Sequence, residues 1–133
     1  MEFGDSRGSR GLKWMTIQAC NILRANNITS MANNSKLPIG DNLHLLLGAA
    51  SLSYAVPNLG KYYGSNLVNN ITVEQSWFNG GIHAFNDAHG GVTNTVIFRA
   101  MGQQNCFGDS FSANQPPDLN TAFTIHDQPV YTP

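Results

Sequence analysis

The residue best suited to chemistry is a cysteine near the start of the chain. Cys20 lies in the tetrad Gln18-Ala19-Cys20-Asn21, at the end of an apolar run that predicts a β-strand. In open α/β sheets, ligands bind at the edge formed by the carboxyl ends of the strands. A thiol at that edge acts as a nucleophile when a base or a dipole lowers its pKa. The pattern indicates Cys20 as a candidate nucleophile, with Gln18 and Asn21 as candidate binding residues.

Two other roles are open for the Cys20 thiol. A cysteine at the end of a buried strand commonly serves as a small core hydrophobe. The chain has one other cysteine, Cys106, so a disulfide between the two is a further alternative. The sequence therefore leaves three roles for Cys20: nucleophile, core thiol and disulfide partner.

Candidate partners for such a nucleophile follow it in the chain. His89 stands in an Asp-Ala-His-Gly-Gly loop and is the candidate base of a permuted dyad, because catalytic geometry depends on position in space. The alternative is an ordinary loop histidine. Asp109 lies close to Cys106, after the third predicted strand, and is a candidate binding residue at the rim of the edge that holds Cys20. His44 lies within an apolar run, which is typical of a hydrogen-bonded core histidine.

The sequence carries no pattern for a metal or a cofactor. It has neither Cys-x-x-Cys nor His-x-x-x-His spacing, and its four histidines are scattered. The glycine pairs 80–81 and 90–91 are not followed by the Lys-Ser/Thr of a phosphate-binding loop. We therefore predict no metal and no cofactor.

The elements that must position these residues alternate between strands and helices. Short apolar or β-rich runs predict strands, and apolar residues at helical spacing predict helices. The predicted strands are Leu12–Cys20, Leu43–Ala50 and Thr93–Ala100, although the run Leu43–Ala50 is also compatible with a buried helix. The predicted helices are Leu59–Val68 and Val73–Phe85, the second capped by Asn70 or Thr72. This alternation predicts a three-layer α/β fold with a mainly parallel sheet flanked by helices. Residues 1–110 form that domain, and residues 111–133, polar and proline-containing, form an irregular tail.

Composition narrows the class of function. The chain has 133 residues, a net charge of −1 and 11% charged residues, so we predict no nucleic-acid partner and no interaction with a membrane surface. No apolar run is long enough to cross a membrane. Its polarity comes from 16 asparagines and 13 glycines, which favours an extracellular or secreted protein, although no leader is visible at the start.

The Gln-Ala-Cys triplet at the end of a sheet strand resembles the nucleophile signature of caspases. The predicted order of elements over residues 3–110 is similar to caspase/gingipain-like cysteine peptidases, and to uncharacterised secreted domains of that clan. The resemblance implies that Cys20 holds the nucleophile position and that a peptide is the substrate. Its thiolate would attack a peptide carbonyl, and main-chain N–H groups near Cys20 would stabilise the oxyanion.

The sequence departs from the clan pattern at two places. Asn21 and Ile22 follow the cysteine, where the caspase signature continues with a basic or polar residue and then glycine. The clan's histidine lies about 50 residues before the cysteine, whereas only 19 residues precede Cys20 and none is histidine. We therefore expect a fold without its first strands: a fragment, a degenerate form or half of a two-chain assembly, with little peptidase activity alone.

Two functions from other classes remain as alternatives. Low charge and an open sheet edge favour an extracellular structural subunit that assembles with copies of itself. A carbohydrate- or ligand-binding module is the second alternative, and its aromatic surface would be built from Trp14, Tyr54, Tyr62, Tyr63 and Trp77.

Overall fold

The computed structural model describes residues 12–28, 43–51, 56–88 and 95–131. Within them the chain is an α/β protein with one four-stranded sheet and helices on it. The strands are β1 (Trp14–Ile17), β2 (Leu45–Ala49), β3 (Thr95–Gln103) and β4 (Phe123–Tyr131). The helices are α1, whose described part is 25–28, α2 (Leu59–Val68) and α3 (Val73–Asp87), and a 3-10 turn covers Gln104–Cys106.

The sheet is mixed, in the order β1-β2-β3-β4. β1 and β2 are parallel, whereas β3 is antiparallel to both β2 and β4. The prediction of a mainly parallel sheet is therefore wrong. The reason lies in the connection from β2 to β3: α2 and α3 form an antiparallel hairpin, in which Tyr63 contacts Trp77 and Tyr62 contacts His83. Such a hairpin returns the chain to the end of the sheet that it left, whereas a single crossover helix yields a parallel strand.

The segment predicted as an irregular tail contains β4. This strand pairs with β3 over nine residues, from Thr95 opposite Tyr131 to Gln103 opposite Phe123. Pro129 favoured a loop for this segment. Proline is tolerated on an edge strand, because main-chain groups on the outer side of that strand have no neighbouring strand to which they would donate.

Apolar side chains cover both faces of the sheet. On one face, Leu45, Leu47 and Phe98 pack with the α2–α3 hairpin. On the other face, Leu46 and Met101 pack with Leu23 and its neighbours in the segment after β1. β2 is buried throughout, as expected of a strand covered on both faces.

The helix predictions agree well with the structure. α2 has the predicted limits, and α3 extends two residues beyond the predicted Phe85. Thr72 is the cap of α3, because its hydroxyl accepts a hydrogen bond from Gln75 N. None of the helices in the described part of the chain combines the length and apolarity that a membrane span needs.

Candidate functional site

The amino edge of the sheet, where β1 and β2 begin and β3 ends, holds a buried histidine–aspartate pair. His44 immediately precedes β2, and Asp109 follows the 3-10 turn after β3. His44 Nδ1 lies 2.5 Å from Asp109 Oδ2, and the two residues are 5% and 2% exposed. Because burial removes water from both groups, this hydrogen bond replaces the hydration that each has lost.

The Asp109 carboxylate accepts further hydrogen bonds that fix its orientation. Trp14 Nε1 donates to Oδ2 over 3.0 Å, and the Gln115 main-chain N–H donates to Oδ1 over 3.2 Å. The Asp109 main chain is fixed as well. Its N–H donates to the Cys106 carbonyl over 3.0 Å, and its own carbonyl accepts from Val73 N, at the start of α3, over 2.8 Å. The aspartate is thus held by β1, by α3 and by its own loop.

Cys106 completes a group of three chemically different side chains. It is fully buried, and one ligand atom from each of Cys106, His44 and Asp109 lies within 4.8 Å of the other two. Burial, and next the negative charge of Asp109, raise the pKa of the Cys106 thiol to about 12. The thiol is therefore neutral at pH 7 and shielded from substrates, so it is not an activated nucleophile. The group offers a nitrogen, a sulfur and an oxygen at one buried place.

Gly102 allows the strands to come together at the amino edge. A Cβ atom on Gly102 would lie 2.2 Å from the His44 carbonyl oxygen, closer than any real side chain approaches. Gly102 is also the partner of Leu45 in the β2–β3 register. The missing side chain lets β3 lie against the chain at His44, and this places the turn that carries Cys106 and Asp109.

Cys20 lies at the carboxyl edge of the sheet, where β1 and β2 end. Its side chain is exposed, as is that of Gln18. Asn21 adopts a left-handed backbone conformation, with φ of 54°, and its N–H donates to the Ser51 carbonyl over 2.9 Å. Leu23 N donates to the carbonyl of Ala49, the last residue of β2, over 3.1 Å. The chain therefore turns sharply after Cys20 and is tied to the end of the parallel neighbour.

The structure brings some of the predicted site residues together and separates others. Gln18, Cys20 and Asn21 lie together at the carboxyl edge. Asp109 lies at the amino edge, because it bonds to Trp14 at the start of β1, and it is therefore not on the rim near Cys20. His89 lies outside the described residues.

The three histidines within the described ranges are engaged away from Cys20. His44 is paired with Asp109, as a core histidine was predicted to be paired. His83 packs against the Tyr62 ring, with ring centroids 5.5 Å apart. His126, on β4, contacts the Glu74 carboxylate through Nδ1. None of these three is positioned by a described contact as a base for Cys20.

Sequence reasoning did not find the cluster at the amino edge. Its signal is weak: Cys106 and Asp109 are three residues apart in one turn, and His44 is 62 residues before the cysteine. No short motif joins such residues, and only the sheet register brings them together. Cys20 and Cys106 lie at different edges and do not form a disulfide, which removes that alternative.

The aromatic residues proposed for a ligand-binding surface contribute instead to the core where they are described. Trp77 is 2% exposed, and Trp14, Tyr62 and Tyr63 are partly buried against the same core cluster. Tyr54 lies outside the described residues.

Comparison with known proteins places the chain in a family without assigning it an activity. Neither the curated proteins nor the solved structures contain a match to it. The family profile described as Domain of unknown function (DUF6345) matches residues 2–126, which is nearly the whole chain. This protein therefore belongs to the DUF6345 family.

Proposed function

We propose that the chain is a caspase/gingipain-like domain in which Cys20 occupies the nucleophile position of a cysteine peptidase. The observation that carries the proposal is the exposed cysteine in a sharp turn three residues after β1, at the edge where two parallel strands end. The turn is made by Asn21, whose left-handed backbone conformation asparagine adopts more readily than most residues do. Ligands bind at this edge in parallel α/β sheets. The finer assignment, a three-layer caspase-like fold lacking its first strands, is part of the same proposal.

The chemistry of the proposal is thiolate acylation. The Cys20 thiolate forms a bond to a peptide carbonyl carbon, and the carbonyl π-electrons move to oxygen, where main-chain N–H groups stabilise them. When the carbonyl reforms, the amine leaves with a proton from a general acid, and a thioester remains. Because each of the three described histidines has its own contacts elsewhere, we expect slow turnover from this chain alone.

Labelling with a peptide-based electrophile tests the proposal. We expect an acyloxymethyl ketone bearing a short peptide ending in Arg, Lys or Asp to label Cys20 at neutral pH, and Cys20→Ala to abolish labelling. The same electrophile without its peptide should react about tenfold more slowly, which corresponds to about 1.4 kcal/mol of peptide recognition. Cys106 is the internal control, because burial and its raised pKa keep it unlabelled until the chain unfolds.

Two results would count against the proposal. Equal rates with and without the peptide would show an exposed thiol with no substrate recognition. Rapid hydrolysis of peptide reporters that survives Cys20→Ala would move the activity to another residue. Reporter hydrolysis that is slow and rises when imidazole is added would support a nucleophile that lacks its base.

A self-assembling subunit is the second candidate, and β4 is the observation that favours it. Phe123, Ile125 and Tyr131 lie on one side of this edge strand and are 46%, 44% and 71% exposed. Within the described residues, β4 pairs with β3 alone. A second chain can pair one of its strands with an apolar edge strand of this kind. Light scattering after size-exclusion chromatography tests this: we expect a dimer or larger species that Ile125→Lys disrupts and that Asn120→Lys, in an exposed turn, does not.

A further inference from the structure

We propose that His44, Cys106 and Asp109 form a structural zinc site at the amino edge of the sheet. The three residues come from two separate parts of the chain, and their ligand atoms already lie within 4.8 Å of one another. All three are buried, at 5%, 0% and 2% exposure. This burial favours a structural role for the ion, because catalytic zinc keeps one position open to water or substrate.

The donor set favours zinc over harder cations. Imidazole nitrogen, thiolate sulfur and carboxylate oxygen are the three ligand types that Zn²⁺ accepts, whereas Mg²⁺ and Ca²⁺ prefer oxygen alone. Charge balance points the same way. A thiolate at Cys106 and a carboxylate at Asp109 carry two negative charges, which neutralise Zn²⁺ when His44 is neutral, so a bound ion would leave no net charge in the buried cluster.

Neighbouring residues already orient the Asp109 carboxylate. Trp14 Nε1 donates to Oδ2, and Gln115 N donates to Oδ1. Groups that hydrogen-bond a ligand in this way fix its geometry and strengthen metal binding. The Gln115 carbonyl oxygen lies 3.8 Å from Cys106 Sγ and is the candidate for the fourth ligand. The loop from 106 to 115 thus supplies two ligands, the candidate fourth ligand, and one of the two donors that orient the Asp109 carboxylate.

Binding exchanges one set of bonds for another and changes no oxidation state. The S–H bond of Cys106 breaks, its proton goes to solvent, and a sulfur–zinc bond forms. The hydrogen bond between His44 and Asp109 opens, and each side chain donates an electron pair to the ion instead. Because zinc binds the thiolate and an ordinary thiol carries its proton at pH 7, at least one proton is released for each zinc bound.

Titration of the metal-free full chain tests the site. We expect Co²⁺ to bind with a stoichiometry of one, with absorption from thiolate-to-cobalt charge transfer, and Zn²⁺ to displace it and raise the melting temperature. Cys106→Ala should remove the charge-transfer absorption, and His44→Gln should weaken binding at least tenfold. Two matched controls should bind as the unchanged protein does: Cys20→Ala removes the other thiol, and His126→Gln removes the second histidine–carboxylate pair of the described residues.

The outcomes separate this proposal from the peptidase proposal. Absence of stoichiometric binding in the folded, unchanged protein overturns the zinc site, and so does charge-transfer absorption that survives Cys106→Ala or disappears with Cys20→Ala. Circular dichroism of each variant, recorded without metal, identifies a loss of binding caused by unfolding. If Cys106→Ala unfolds, calorimetry of the unchanged protein in buffers of different ionisation enthalpy decides, because binding without proton release excludes Cys106 as a ligand. Labelling of Cys20 by the peptide electrophile does not require zinc, so the peptidase proposal is tested independently of these outcomes.

Discussion

Asp109 and Asp127 each pair with another side chain, but their surroundings differ. We therefore expect the two pairs to contribute differently to the free energy of unfolding. Asp109 is buried and accepts from His44 and Trp14, whereas Asp127 is exposed and bonds to Arg99 on the sheet surface. Removing one partner of a buried pair leaves the other without compensation, so we expect Asp109→Asn to lower the free energy of unfolding by about 3 kcal/mol. Asp127→Asn should cost at most about 1 kcal/mol. Urea denaturation of both variants measures the difference, and equal losses would contradict this account.

The Cys106 thiol predicts how stability changes in alkaline solution. In the metal-free folded protein, burial, and next the charge of Asp109, raise its pKa from 9.0 to about 12. As pH rises from 9 towards 12, the thiol ionises in the unfolded chain while it stays neutral in the folded one, so the unfolded state is favoured and stability falls. Its contribution to stability is fully present below pH 9. Urea denaturation of the metal-free proteins at several alkaline pH values should show a steeper fall for the unchanged protein than for Cys106→Ala, and parallel slopes would contradict the assignment.

At the scale of elements, we expect alanine to have opposite effects on stability at two glycines in the α2–α3 hairpin. Gly81 faces the sheet, and a Cβ there would lie 2.6 Å from the Phe98 ring. Gly64 has open space where its Cβ would be. We expect Gly81→Ala to destabilise the protein by about 1–3 kcal/mol through overpacking, and Gly64→Ala to stabilise it by about 0.5–1 kcal/mol through helix propensity. Thermal unfolding of the two variants checks both signs, and stabilisation by Gly81→Ala would show that α3 does not lie against Phe98 as described.

At the scale of the whole molecule, β4 extends the folded unit beyond the predicted boundary at residue 110. β4 bonds to β3 along its full length, and Val130 belongs to the core cluster between sheet and helices. We therefore expect the β3–β4 ladder amides to exchange with solvent deuterium far more slowly than those of the exposed residues Phe111 and Leu119. A chain that ends at residue 110 should lose cooperative unfolding. Rapid exchange throughout 123–131, or a stable protein without these residues, would show that β4 is dispensable.

The element types in the first three-quarters of the chain follow from local sequence. The apolar run at 43–50 favours a strand buried on both faces but also fits a buried helix, and its pairing with β1 and β3 decides for the strand. α2 and α3 could be assigned because their apolar residues recur at helical spacing and Thr72 supplies a cap. β4 could not, because its pairing with β3 offsets the local preference of a proline-containing segment, and such pairing is a long-range property.

Sequence alone determined the low charge, the types of the two long helices and of the first and third strands, and the place of Cys20 close after the first strand. It left open whether the Cys20 thiol is buried or exposed, and the fold decided for exposure. Tertiary structure decided strand direction, because a helix hairpin instead of a single crossover returned the chain to the same end of the sheet. It also decided the composition of the buried cluster. His44 and Asp109 are 65 residues apart and become neighbours only through the register of β2 with β3 and the missing side chain of Gly102. Local patterns set which element a residue joins, whereas contacts distant in sequence depend on how the elements pack.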